Sequence, residues 1–172
     1  MISPDPLVLS LHSRGDTRRL GRSLAACLTA GDLVVLEGPL GAGKTFLARS
    51  IARGLGVPSG VRVTSPTFDL VHELPGRVPL LHVDLYRIEE RAALDELGLA
   101  ERIGADAVVL CEWGDRFAGA LGGEGLWLEI SLSAEGLRAC QISARGTRGQ
   151  RLFARLREAL AGSSKARANR SA

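Results

Sequence analysis

Eight consecutive residues carry most of the chemistry in this chain. Gly38-Pro39-Leu40-Gly41-Ala42-Gly43-Lys44-Thr45 has the spacing G-x-x-x-x-G-K-[ST] of a phosphate-binding loop. Lys44 stands out further because lysine is nearly absent. Of the 22 basic residues 20 are arginine, and the only other lysine is Lys165, near the C-terminus. The motif needs a compact ammonium at this position, where a planar guanidinium fork does not fit. Gly41 and Gly43 let backbone N–H groups approach phosphate oxygens, and the following helix N-terminus adds partial positive charge. Lys44 is placed to reach the β- and γ-phosphates, and Thr45 to offer its hydroxyl to Mg²⁺. Gly38, Ala42 and Phe46 complete the stretch expected to line the nucleotide.

Phosphate binding alone does not complete an ATPase. A carboxylate near Mg²⁺ is also needed, with groups that arrange water at the γ-phosphate. In α/β sheets such groups lie at the carboxyl ends of strands. Asp84 and Glu112 each end an apolar run, and Glu112 follows Ala107 to Cys111 as a Walker-B acid does. Either could equally be a strand-end acid capping the next helix. Thr64-Ser65-Pro66-Thr67 is a hydroxyl cluster stiffened by proline, at the place of a switch segment or of a plain turn. Trp113 beside Glu112 could pack near the nucleotide or fill a core edge. His12, His72 and His82 show no ligand spacing, so no metal other than Mg²⁺ is expected.

The elements that must position these residues follow from periodicity. Asp32 to Glu37 is a short apolar run rich in β-branched residues, as a buried strand is. Leu47, Ile51 and Leu55 recur every four positions after the loop, a helical spacing closed by Gly54 and Gly56. Upstream, Leu7 to Leu11 reads as a strand, and Gly15-Asp16-Thr17 opens a helix with Leu20, Leu24 and Leu28 on one face. Downstream, Val61 to Val63 is predicted extended. Phe68 to Leu74 and Pro79 to Leu85 form a hairpin about Pro75-Gly76, and Glu89 to Leu97 and Leu99 to Ile103 are helical. Ala107 to Cys111 is a central strand. Leu126 to Leu132 and Leu137 to Ser143 form a second hairpin, and Thr147 and Gln150 make a capping box for a last helix carrying Leu152, Leu156 and Leu160. The pattern is α/β with added antiparallel strands, hence a mixed sheet.

Bulk properties narrow the function classes. The 172 residues suit one domain, placed at 1–161, followed by a basic and disordered tail at 162–172. That tail holds Lys165, Arg167 and Arg170 and no acid, so without it the body is balanced against its 19 acids. Summed charge therefore argues against a nucleic-acid-binding body, and scarce aromatics argue against a base-stacking platform. No apolar run is long enough to span a bilayer, and the N-terminus lacks a basic signal region. Cys27, Cys111 and Cys140 form no C-x-x-C pair and read as small buried hydrophobes of a reducing compartment, the cytoplasm.

GPLGAGKT (38–45), SPTFDLVHEL (65–74), LHVDLYRI (81–88) and CEWGDR (111–116) occur in this order. In these segments the chain resembles the TsaE (YjeE) family, the bacterial ATPase of tRNA threonylcarbamoyladenosine biosynthesis. The resemblance runs from about Leu7 to Ser143. It implies a P-loop NTPase-like three-layer domain with a mixed parallel and antiparallel sheet. It implies ATP and Mg²⁺ as cofactors, TsaB- and TsaD-type proteins as partners, and tRNA as an indirect contact. By the same resemblance Lys44 and Thr45 bind phosphate and Mg²⁺, Glu112 helps hold Mg²⁺, and Asp84 serves hydrolysis by positioning water. Thr67 faces the γ-phosphate, while Thr17 and Trp113 lie near the nucleotide. The chain departs from the family at Gly136-Leu137-Arg138. There an arginine that the family places directly after glycine is displaced by one residue. In a strand that shift turns a side chain to the opposite face, so Arg138 points away from the nucleotide unless the turn is shifted with it. The rival activity of the same fold class is a small-molecule kinase. It needs an acceptor pocket and an arginine-rich lid, and the glycine-rich stretch from Gly114 to Gly125 makes a poor one.

Overall fold

A computed structural model of the chain describes residues 5–168. It forms three layers around one seven-stranded mixed sheet. The strands are β1 (Leu7–Leu11), β2 (Leu33–Glu37), β3 (Val71–Leu74), β4 (Leu80–Asp84), β5 (Val108–Glu112), β6 (Gly125–Leu132) and β7 (Arg138–Arg145). The helices are α1 (Arg14–Cys27), α2 (Lys44–Gly54), α3 (Arg91–Asp95), α4 (Leu99–Arg102) and α5 (Gly146–Ala168). Strand order is β1-β7-β6-β2-β5-β4-β3. β2 runs parallel to both β5 and β6, and β4 runs parallel to β5; the outer pairings are antiparallel.

The central strands read as unbroken apolar runs because both of their faces are covered. Val34, Leu36, Leu110 and Leu128 pack on one side with Leu24, Leu47, Ile51 and Leu152 of the long helices. Leu33, Val35, Val109 and Cys111 pack on the other with Leu94, Leu99, Phe117 and Leu121. The three cysteines are buried, unpaired thiols, and burial pushes Cys140 up to about 12. Among the described residues no helix is long and apolar enough to cross a membrane.

Several predicted boundaries move. Residues 61–63 are not a strand; the guanidinium of Arg53 holds the Val61 carbonyl, and that of Arg49 holds the Val63 carbonyl at 2.9 Å. Strand β3 starts only at Val71, because residues 67–70 form a turn in which Leu70 N–H donates to Pro66 O. The predicted helix 89–97 shortens to α3. Thr147 does not cap the last helix: α5 begins one residue earlier, and Glu124 Oε2 accepts from Arg148 N–H at 3.1 Å. Helix α5 continues to Ala168, past the boundary at 161 expected from composition. The remainder of the predicted tail, 169–172, lies outside the described residues.

Candidate nucleotide site

The carboxyl ends of β2, β4 and β5 meet at one edge of the sheet, and register fixes what they present there. Glu112 of β5 pairs with Asp84 of β4 on one side and Leu36 of β2 on the other. The chain leaving β2 turns through Gly38, Gly41 and Gly43, all at positive φ, before entering α2. At Gly38 no larger residue fits, since a Cβ would stand 2.2 Å from the Ile130 carbonyl oxygen. Around Gly41 nothing lies within 4 Å of the Cβ position, so the middle of the loop is open to a ligand.

Lys44 is buried at the base of this loop. Its Nζ donates to Gly38 O at 2.7 Å and Pro39 O at 3.0 Å, and lies 3.8 Å from the Trp113 ring centroid. Burial lowers its pKa, opposed by the negative charge of Glu112, Glu37 and Asp84. Thr45 Oγ1 donates to Glu112 Oε2 at 3.0 Å. On its other oxygen Glu112 meets His82 Nε2 at 2.9 Å, inside the protein. His82 Nδ1 is buried without a partner.

Asp84 is held by three donors. Ser65 Oγ and Thr67 Oγ1 donate to Oδ2, the latter at 2.9 Å, and Tyr86 N–H donates to Oδ1 at 2.9 Å. A carboxylate has about four acceptor positions, so one remains for a water proton. The segment 65–70 is thereby tied to β4, and Leu70 O closes the tie by accepting from Asp84 N–H at 3.0 Å. Leu70 and Trp113 are the only non-glycine residues at positive φ among the described residues, at 62° and 64°. A side chain in that region costs on the order of 1–3 kcal/mol and persists only where its surroundings over-determine it. Trp113 is pinned by its N–H to Leu36 O at 3.1 Å and by Asp115 N–H to Glu37 Oε1 at 2.7 Å. Its ring tilts against Tyr86 at 5.1 Å. The same burial raises the Glu37 pKa, partly offset by the Asp115 hydrogen bond.

Thr17 and Phe46 line a separate cavity of about 340 Å³ on the far side of the loop, together with Gly41, Ala42, Gly43 and Arg138. Arg138 therefore takes the orientation that a shifted turn allows. Its Nε donates to Ala42 O at 2.9 Å. The turn absorbs the displaced residue: Ser133 N–H donates to Leu137 O, and β7 begins only at Arg138. Strand alternation then puts Arg138 on the same face as Cys140 and Ile142, which pack against the long helices.

All the residues predicted for the site therefore gather at this edge, in two groups either side of the loop. Lys44, Thr45, Thr67, Asp84, Glu112 and Trp113 form one; Thr17, Ala42, Phe46 and now Arg138 form the other. Sequence reasoning passed over His82, although it lies two residues before Asp84 on one strand and must share its face. The donors fit the implied cofactors. Thr45 and Glu112 offer hard oxygens suited to Mg²⁺, which takes few protein ligands and leans on phosphates and water. Among the described residues no three His, Cys, Asp or Glu side chains form a fuller metal cage.

Residues 11–140 match the sequence model of a family described as threonylcarbamoyl adenosine biosynthesis protein TsaE. The chain belongs to the TsaE family. It is 34% identical over 132 residues to the tRNA threonylcarbamoyladenosine biosynthesis protein TsaE of Treponema pallidum, covering 77% of this chain and 96% of that one. The TsaE of Bacillus subtilis is 36% identical over 138 residues, covering 80% and 85%. The crystal structure of Bacillus subtilis YdiB superposes with a TM-score of 0.77 at 30% identity, covering 92% of this chain and 97% of that one. The TsaE fold is thus present along nearly the whole chain, and the expected P-loop NTPase-like architecture holds.

Proposed function

We propose that this chain is a Mg²⁺-dependent ATPase subunit of tRNA threonylcarbamoyladenosine modification, working with TsaB- and TsaD-type partners to reset the transfer complex between turnovers. One observation carries the ATPase reading: Thr45 at the start of α2 touches Glu112, and Glu112 is the register neighbour of Asp84. On this reading a phosphate anchor, a metal-holding pair and a water-positioning acid share one cleft. Family membership supports the pathway.

Each residue has a definable task. The loop amides and Lys44 bind phosphate, with Lys44 exchanging its two carbonyl acceptors for phosphate oxygens. Thr45 and Glu112 hold Mg²⁺, which when bound neutralises charge on the phosphates. Asp84 uses its remaining acceptor position to orient the attacking water, and the Ser65–Thr67 hydroxyls keep it aimed. Phe68 and Tyr86 on the flanks of this cleft and Leu40 on the loop are large apolar side chains exposed to solvent. They offer surface to a partner protein at the point where the phosphate state is read.

Two substitutions and one mixture test the reading. Lys44→Ala is expected to abolish the heat of Mg·ATP binding in calorimetry. Asp84→Ala is expected to keep binding and lose turnover by roughly 10²–10⁴-fold, the usual contribution of a positioned acid or base. Normal turnover by Asp84→Ala would remove its assignment. Phosphate release is expected to be slow for the chain alone and faster with its partners; equal rates would count against a subunit role.

A further inference from the structure

We propose that the adjoining faces of α1 and α2 bind the phosphodiester backbone of RNA, at a surface that borders the candidate nucleotide site at Arg14 and Phe46 and runs away from it through Arg18 and Arg22. Arg14, Arg18 and Arg22 recur every four residues along α1. They therefore climb one face in steps of about 6 Å, a spacing of the same order as successive phosphates on a strand. Arg49 and Arg53 lie on α2. The two rows join because the helices cross with almost no gap. A Cβ on Gly21 would stand 2.5 Å from Ser50 Cβ, and one on Gly54 would stand 2.5 Å from Ala25 Cβ. Between the rows runs a groove of about 300 Å³ lined by Arg18, Arg22, Phe46, Arg49, Ser50 and Arg53, with no acid among them.

No carboxylate neutralises this groove. Among the described residues none of these five arginines takes part in an ion pair. Arg49 donates only its Nε, to Val63 O, and keeps its terminal N–H groups for a ligand, whereas Arg53 spends both terminal nitrogens on the carbonyls of Val57, Pro58, Ser59 and Val61 and so lends charge rather than a fork. Arg14 and Arg18 stand 5.6 and 6.0 Å from the Phe46 ring centroid. Guanidinium forks match phosphate oxygens in pairs, and a row of them fixes a nucleic acid in place without reading its bases. The balanced net charge of the body conceals this surface, because its acids lie elsewhere. The choice of RNA over DNA rests on the function proposed above, whereas the phosphate chemistry does not.

The test uses the full chain and an unmodified, dye-labelled tRNA transcript, with anisotropy followed between 50 and 200 mM salt. The double variant Arg18→Gln/Arg22→Gln is expected to bind roughly tenfold more weakly at low salt, with its log–log salt slope shallower by about two. Arg18→Lys/Arg22→Lys is expected to keep the slope. Mg·ATP calorimetry on the same variants is expected to match the parent chain, which separates this inference from the nucleotide reading. Parent-like affinity and slope in the glutamine variant would overturn the surface. Equal binding of duplex DNA would overturn the RNA assignment. Equal displacement of the transcript by polyglutamate would overturn it in favour of an acidic protein.

Discussion

Glu112 has two oxygens with two different obligations. Oε2 faces Thr45 and the proposed Mg²⁺ position, while Oε1 is held from behind by His82. A carboxylate tethered at one oxygen presents the other in a single direction. Groups that hold metal ligands in this way typically contribute 10–100-fold to metal affinity. His82→Leu leaves Oε1 buried without a donor and lets the carboxylate turn. In the presence of ADP, the Mg²⁺ needed for half-saturation, read by Trp113 fluorescence, is expected to rise about 10–100-fold. His82→Gln supplies an amide N–H near the place of Nε2 and is expected to recover most of the loss. Identical Mg²⁺ titrations for the leucine and parent chains would mean that Thr45 alone orients Glu112. The loop motif made Lys44 and Thr45 legible from sequence, and the apolar run Ala107 to Cys111 placed Glu112 at a strand end. His82 was hidden because a histidine without ligand spacing gives no sign that its partner lies on the next strand.

Helices α1 and α2 owe their placement to two glycines rather than to their leucines. Gly21 faces Ser50 and Gly54 faces Ala25 across the crossing, and each Cβ position is already filled. Near Gly21 the Ser50 carbonyl carbon and the Ile51 nitrogen also come within 3.0 Å, so a side chain there must move backbone rather than rotate a neighbour. Overpacking of this kind costs about 1–3 kcal/mol. Gly21→Val is expected to lower the unfolding free energy by that amount, seen as a lower denaturant midpoint with an unchanged slope. It should also weaken Mg·ATP binding, since α2 carries Lys44 and Thr45 at its first turn. A midpoint equal to that of the parent would show that the helices can part without loss. Both helices were legible in the four-residue recurrence of leucine and isoleucine. The turn after Pro66 was legible only at its start: from Phe68 to Leu70 local alternation imitated a strand, while the bonds that shape the segment run to Asp84, far along the chain. The last helix was legible at its core but not at its ends, where Glu124 supplies the cap from a preceding loop.

Across the whole molecule, the sheet brings the site together from both directions. Its parallel centre, β2, β5 and β4, delivers the acids, and that part was readable as apolar runs ending in Asp or Glu. The antiparallel flank was readable as a hairpin, but not its destination. Strand β6 pairs in parallel with β2, so β7 and the turn before it arrive beside the phosphate loop. A five-residue connection, 133–137, then decides which face Arg138 shows. Counting from the glycine gives the wrong face; counting from the first strand residue gives the right one. Topology therefore brings Arg138 to the candidate nucleotide site, anchored by its Nε to Ala42 O at the cavity it lines with Thr17 and Phe46. It lies across the loop from Asp84 and Glu112, so it should affect binding rather than the chemical step. Arg138→Ala is expected to weaken Mg·ATP binding by about tenfold, the loss of one charge-assisted hydrogen bond. Single-turnover hydrolysis at saturating ATP should keep its rate. A fall in that rate with affinity unchanged would place Arg138 at the reacting phosphate and require the flank to close over the cleft during turnover.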